Sequence, residues 1–284
     1  MARYDDIIGA VRPLLASYDF KPTIRQIYYR LVSPPYQLIP NTKSAYTGFD
    51  KQMVRARERS ELPSDAFADT SRQLLGGDDG FDSPEAFLAG LRQYLAPSNY
   101  TGQMWGSQPT QVEVWVEKDA LAQVVLRATE PYRVLVYPSR GYSPFTRLAE
   151  AVARFEQKPA ILLDLRDLDP SGLDMSRDIQ ERLARYGGQF QYVRLALNEN
   201  QVEGLPPNPT KRDDTRGGAY MARLGDRCWE LDALPPDGLQ RLITEAIEAR
   251  IDWAAWQTTL GRIEAERQTL DPILARARQV LASQ

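Results

Sequence analysis

The polar and apolar positions of this chain change rhythm part-way along. In "DDIIGAVRPLLASY" (5–18) apolar residues return every three or four positions, the spacing of a helix with one buried face. "PTIRQIYYRLV" (22–32) repeats that spacing. Ile24, Ile27, Tyr28 and Leu31 fall on one stripe, and Thr23 with Gln26 fits a capping box at its start. A third helix is expected from about Lys43 to Arg59, with Tyr46, Phe49, Met53 and Ala56 as its apolar stripe. "GGDDGFDSPEAFLAGLRQYLAPSNYTG" (76–102) reads as a linker, a short helix entered at Pro84, and a second linker. From 111 onward, short apolar runs ("QVEVWVE", "YRVLVY", "PAILLDL", "FQYVRLAL") alternate with amphipathic stretches, the pattern of a parallel α/β sheet. A strand or turn and C-terminal helices follow from "RCWELDALPPDGL". The expected organisation is a helical module over 1–75, a linker with a short helix over 76–108, and an α/β domain with C-terminal helices over 109–284.

Composition narrows the chemistry. The 284 residues include no histidine and one cysteine, Cys228. Histidine-based triads, histidine general bases and zinc sites built on His or Cys clusters are therefore excluded. Carboxylates, Tyr, Ser, Lys and Arg remain, and a metal would take oxygen ligands, as Mg²⁺ or Mn²⁺ do. No apolar run spans a bilayer, no signal-peptide pattern opens the chain, and the lone cysteine suits a reducing compartment, so a cytoplasmic protein away from membranes is expected.

Charge is unevenly spread. The net charge is −3, yet residues 1–60 carry ten Lys/Arg against five acids, whereas residues 61–90 carry one Arg against seven. Lys51, Arg55 and Arg59 fall at i, i+4 and i+8 on the third helix, a basic stripe suited to DNA phosphates. On the second helix, Tyr28 belongs to the apolar stripe. Tyr29 lies about 140° from Ile24 and is expected on the exposed side, with Arg25 as its i+4 neighbour. A guanidinium there favours the phenolate and could hold a phosphate, which makes Tyr29 the better nucleophile of the two.

The acids follow the strands. Glu117 ends the first, and Asp167 and Asp169 follow the third. Ligands of open α/β sheets bind at the carboxyl ends of strands, so these three form a candidate Mg²⁺ site. Glu230 and Asp232, in "WELDAL", have no assignment from the sequence.

"VEVWVEKDAL", "YPSRGYSPFTR" and "LLDLRDLDPSGLDM", in that order, resemble a Toprim domain of the kind found in the A subunit of DNA topoisomerase VI and its meiotic double-strand-break relatives. Short standalone forms occur in phage and mobile elements, and this chain is more similar to those. The family's acid after the first strand matches Glu117. Its turn after the second matches Arg140, Gly141 and Tyr142, although Arg140 stands where lysine is usual and Ser139 where glycine is usual. Its D-x-D-P-x-G matches Asp167, Asp169, Pro170 and Gly172, and its R-x-x-[FY]-Y element matches Arg25, Tyr28 and Tyr29.

The resemblance implies an N-terminal winged helix of the catabolite-activator type and a Rossmann-like Toprim sheet. It implies Mg²⁺-dependent cleavage of double-stranded DNA by transesterification, with Tyr29 forming a 5′-phosphotyrosyl link. Glu117 would serve as acid/base or ligand, and Arg140 would contact DNA. It also implies a homodimer in which the tyrosine of one subunit works with the acids of the other, and a separate ATPase subunit for topoisomerase activity. Two other readings use the same residues: a Toprim nuclease that employs metal-activated water, and a non-catalytic DNA-binding protein.

Overall fold

The computed structural model describes residues 3–68, 80–210 and 216–282. By its contacts the chain groups into two compact units, residues 1–72 with 111–250, and residues 73–110 with 251–284. The N-terminal helical segment is thus grouped with the sheet, and the region between them with the C-terminal helix.

In the first unit, α1 (Tyr4–Ala16), α2 (Ile24–Val32) and α3 (Lys43–Glu58) lie where the periodicity places them. Residues 3–68 contain no strand. The capping box of α2 forms as its sequence requires. Thr23 Oγ1 accepts from the Gln26 N–H at 3.1 Å, and Gln26 Oε1 accepts from the Thr23 N–H at 2.8 Å. The three helices share a core of Ile7, Val11, Ile27, Leu31, Phe49 and Met53, each at most 1% exposed.

The α/β part of this unit is a four-stranded, wholly parallel sheet in the order β2-β1-β3-β4. Its strands are β1 (Gln111–Val116), β2 (Leu135–Pro138), β3 (Ala160–Leu165) and β4 (Phe190–Ala196). α4 (Pro84–Tyr94) precedes them in the second unit. The crossovers are α5 (Ala122–Thr129), α6 (Phe145–Gln157) and α7 (Pro170–Arg185), followed by α8 (Gly217–Leu224) and α9 (Pro236–Glu248). Trp115 and Leu162 face α6 and α7 in one core cluster with Leu148, Phe155, Ile179 and Leu183. Val114 and Leu163, offset by one residue along their strands, are also fully buried, and α5 and α9 pack together and onto the strands. Both faces are covered, as a parallel sheet requires.

The "CWELDAL" stretch is no regular strand. Cys228 and Trp229 form isolated antiparallel bridges to Asn208 and Leu168, and Leu231–Ala233 is a single 3₁₀ turn.

The second unit joins α4 and its flanks to α10 (Trp253–Ala282). Gln108 Nε2 donates to the Asp252 carbonyl at 3.1 Å, and Gln108 Oε1 accepts the Asp252 N–H at 2.8 Å. The rings of Trp105 and Trp256 meet edge-on at 5.7 Å. The short helix expected at Pro84 forms as α4, and the flanking residues expected as linkers are packed against the C-terminal helix where they are described. No helix among the described residues is long and apolar enough to cross a membrane.

Candidate active site at the strand ends

The strand order fixes where a site can open. The chain leaves β1 toward β2 on one side and leaves β3 toward β4 on the other, so the loops diverge between β1 and β3. A parallel sheet leaves a ligand crevice at such a switch point. Glu117 and Asp167 emerge there side by side, because Val116 and Leu165 are register partners. The Glu117 N–H donates to the Leu165 carbonyl at 2.9 Å, and the Asp167 N–H donates to Glu117 Oε2 at 3.1 Å. Asp169 caps α7, its Oδ1 accepting the Gly172 N–H at 2.6 Å. A side chain at 172 would put its Cβ 2.3 Å from the Asp167 carbonyl oxygen, so only glycine allows this close return.

A lysine that sequence reasoning missed stands among these acids. Lys118 Nζ lies 3.2 Å from Asp167, 3.1 Å from Glu230 and 2.5 Å from Asp232. Glu230 and Asp232 are brought here by the bridge of Trp229 to Leu168, and the Leu231 N–H donates to Asp167 Oδ1 at 2.7 Å. Glu230 also pairs with Arg25 of α2. Asp232 is 2% exposed, with Lys118 as its ion-pair partner.

The acids respond differently to this setting. Burial pushes Asp167 up to about 7; Lys118 opposes the rise and Glu117 adds to it. Burial also raises Glu117, with Asp169 adding to the rise while the Asp167 N–H and Arg166 oppose it. Burial works against the charge of Glu230, but Lys118 and Arg25 outweigh it and hold Glu230 below its usual value. Burial would lower Lys118, yet Asp232, Asp167 and Glu230 together raise it well above the usual lysine range.

Both tyrosines of α2 are buried, Tyr28 at 2% and Tyr29 at 4% exposed. The expectation of an exposed Tyr29 is corrected. α2 is covered on a second side, by the chain around Asn208, and Asn208 Nδ2 donates to the Tyr29 hydroxyl at 2.9 Å. Arg25 is half-buried, its guanidinium 4.8 Å from the centre of the Tyr46 ring. Burial moves the Tyr29 phenol far above its ordinary value; Glu230 adds to this, and Asn208, Arg25 and Lys118 act against it. Tyr28 is a packing residue whose hydroxyl is fully used. It donates toward the Pro40 carbonyl at 2.9 Å and accepts the Thr42 N–H at 3.1 Å.

A buried polar layer supports the crevice from beneath. Asp164 and Arg166, both 0% exposed, form an ion pair at 2.9 Å, and Arg166 Nη2 reaches Ser139 Oγ at 2.6 Å. Asp164 also accepts from Tyr192 at 2.6 Å and from Ser176 at 3.2 Å. Arg194 Nη2 donates to the Asp167 carbonyl at 2.6 Å. Serine at 139 therefore ties the loop after β2 to the loop after β3.

Two cavities flank Arg25 and Lys118, which line both. One, of about 620 Å³, is also walled by Glu117, Asp232, Arg57 and Arg140. The other, of about 290 Å³, is walled by Asp167, Asp169, Asn208 and Glu230. Tyr29 lines neither. Lys51, Arg55 and Arg59 are exposed along α3, as the stripe requires, and line neither cavity. Arg140 is exposed at the rim of the larger one.

Among the described residues, no group of three or more acids, cysteines or histidines is disposed to hold a metal ion. Magnesium asks for less, since one or two carboxylates with water and phosphate oxygens suffice. Glu117, Asp167 and Asp169 each keep one carboxylate oxygen without a hydrogen bond to the described residues. Glu117, Asp167 and Asp169 are thus the acids of the crevice with an oxygen left to offer such an ion. Comparison with models of known protein families, with curated proteins and with solved structures found no match to this chain.

Proposed function

We propose that the chain cleaves DNA phosphodiesters at the switch-point crevice, as a Toprim-like enzyme whose N-terminal helices serve as a winged-helix-like DNA module. The observation that carries this reading is the Arg25–Glu230 ion pair. It joins the helix bearing Tyr29 to the acids at the strand ends, within one chain. Glu117 with Asp167 or Asp169 would hold Mg²⁺ or Mn²⁺, which when bound supplies positive charge to the phosphate oxygens. Lys118 adds a fixed positive charge beside them. Lys51, Arg55, Arg59 and Arg140 would contact the backbone of double-stranded DNA.

Tyr29 is the nucleophile in this reading. Its oxygen bonds to phosphorus and the bond to the 3′-oxygen breaks, leaving a 5′-phosphotyrosyl link. The phenol proton would pass to a carboxylate, Glu117 in the acid/base role that the family resemblance gives it, and the departing 3′-oxygen would take a proton back from that group and leave as a hydroxyl. Arg25, Asn208 and Glu230 form the cavity wall before the phenol. A DNA phosphate that competes with Glu230 for Arg25 would loosen that wall. Cutting both strands requires two such sites, which a homodimer provides. Strand passage would further require a separate ATPase subunit.

A second reading, hydrolysis by metal-activated water, is favoured by one observation: the buried Tyr29 lines neither cavity. The experiment that decides is incubation with labelled duplex DNA and Mg²⁺ or Mn²⁺, followed by denaturing electrophoresis. A protein–DNA adduct that disappears in Tyr29→Phe supports transesterification. Cleavage without an adduct, retained in Tyr29→Phe, supports hydrolysis. No cleavage with either metal sinks both.

A further inference from the structure

We propose that Asn208 is a positioning residue for Tyr29, its carboxamide held so that its N–H stabilises the phenol oxygen as that oxygen takes on negative charge; this rests on the reading of Tyr29 as nucleophile.

The geometry leaves the amide little choice of orientation. Asn41 Nδ2 donates to Asn208 Oδ1 at 3.2 Å, and the same group donates to the Pro207 carbonyl at 2.7 Å. The amide oxygen of Asn208 therefore faces a donor, and its nitrogen is turned to Tyr29. The backbone is pinned as well, since Asn208 exchanges both of its main-chain hydrogen bonds with Cys228, at 2.7 and 2.8 Å. Cys228 is followed directly by Trp229, which bridges to Leu168 beside Asp167. The donor to the phenol and the acids of the crevice thus hang on one stretch of chain.

A tyrosine hydroxyl can donate or accept. Here it accepts from Asn208, so its own proton is directed elsewhere and the oxygen is already solvated on one side by a fixed dipole. The charged groups around it are mixed: Glu230 opposes ionisation, while Arg25 and Lys118 favour it. Asn208 is the neutral member of that set that touches the oxygen, and a hydrogen bond to an ion is worth more than one to a neutral group. Asn208 also lines the smaller cavity with Asp167 and Asp169, whereas Tyr29 does not. The amide thus touches the phenol and lines the cavity that holds the acids.

The test places 3,5-difluorotyrosine at position 29 of the full chain and follows its ionisation by ¹⁹F NMR in the native protein, Asn208→Asp, Asn208→Ala and Asn41→Ala. Loss of the donor in Asn208→Ala should raise the phenol pKa by about one unit. Asn208→Asp, of the same size, should raise it further, and Asn41→Ala, which frees the amide to turn, should raise it less. Adduct formation by the unlabelled Asn208→Ala chain should slow at least tenfold with DNA affinity unchanged. A phenol pKa that is the same in all four proteins overturns the proposal, since a purely structural amide would alter only the melting temperature. A shifted pKa with no adduct in any protein, the native one included, also overturns it and locates the failure in the nucleophile reading, not in the hydrogen bond.

Discussion

Arg25 of α2 and Glu230, ahead of α9, are ion-paired although 205 residues separate them in the chain. The pair sets the tyrosine helix against the acids of its own chain. A site shared between two copies, expected from the family resemblance, is not needed to bring these groups together.

That arrangement predicts the outcome of a mixing experiment. Tyr29→Phe and Glu117→Ala chains, each inactive, are combined after exchange of subunits. With every site built inside one chain, each site keeps one defect and the mixture stays inactive. Nicking of a single strand by the mixture would place the site across two copies.

The two tyrosines should separate by stability as well as by chemistry. Tyr28→Phe strips the partner from the Thr42 N–H and removes a donor to the Pro40 carbonyl. Unfolding in urea should show a loss of about 1–3 kcal/mol. Tyr29→Phe loses one hydrogen bond, to Asn208, and should cost less while removing any adduct. Equal losses would mean that the second hydrogen bond of the Tyr28 hydroxyl adds nothing to stability.

The acids give stability a definite pH dependence. Asp167 titrates at about 7 in the folded chain and near 3.9 when unfolded. The folded state therefore binds the proton more tightly. The contribution of Asp167 is fully present below about pH 4 and is lost as pH rises through 7; Glu117, also raised, has the same sign. In EDTA the melting temperature should fall between pH 5.5 and 8, and Asp167→Asn should flatten the fall. Millimolar Mg²⁺ should restore stability more at pH 8 than at pH 5.5, and Glu117→Gln should weaken that gain. A melting temperature that rises across this range would contradict the assignment.

Lys118 can be tested by removal. Lys118→Met leaves Asp232, with its side chain only 1% exposed, and the neighbouring Asp167 without their cation. Breaking a buried pair on one side costs about 3–5 kcal/mol. Lys118→Met with Asp232→Asn should recover part of that loss, and denaturant titration of the single and double variants measures it. No recovery would show the two residues to be energetically independent.

DNA binding provides the fifth measurement. Arg55→Ala should weaken binding to unrelated duplexes about equally and flatten the slope of log affinity against log salt by about one. An effect confined to one sequence would make Arg55 a reader of bases.

Much of this arrangement is local and therefore legible in the residues. The Thr23–Gln26 box, the apolar stripe of α3 and the alternation of short strands with helices each depend on near neighbours. So does the placement of Glu117, Asp167 and Asp169 at strand ends. The burial of Tyr29 is not local. A single apolar stripe marks one packed face, and α2 has a second, covered by the chain around Asn208, which lies 179 residues away. Lys118, Glu230 and Asp232 meet through long-range contacts such as the isolated bridge of Leu168 to Trp229. No periodicity marks a bridge of one residue pair. The stretch 76–108, of which 76–79 lie outside the described residues, reads as two linkers around a short helix; the helix is local and forms as α4, whereas the packing partner of its flanks, α10, begins only at Trp253.

The lysine among the acids also has a meaning for the order in which the chain is made. By the time a ribosome has passed residue 170, Lys118, Glu117, Asp167 and Asp169 have all been synthesised. Two of the three carboxylates that neutralise the ammonium are still sixty residues away. A product released by a premature stop before Glu230 would carry every acid of the strand ends, yet its lysine would face Asp167 alone and its tyrosine helix would have no anchor for Arg25. A stop just before Glu230, well past the sheet, would therefore strip the site of two of its charge partners while leaving every strand in place.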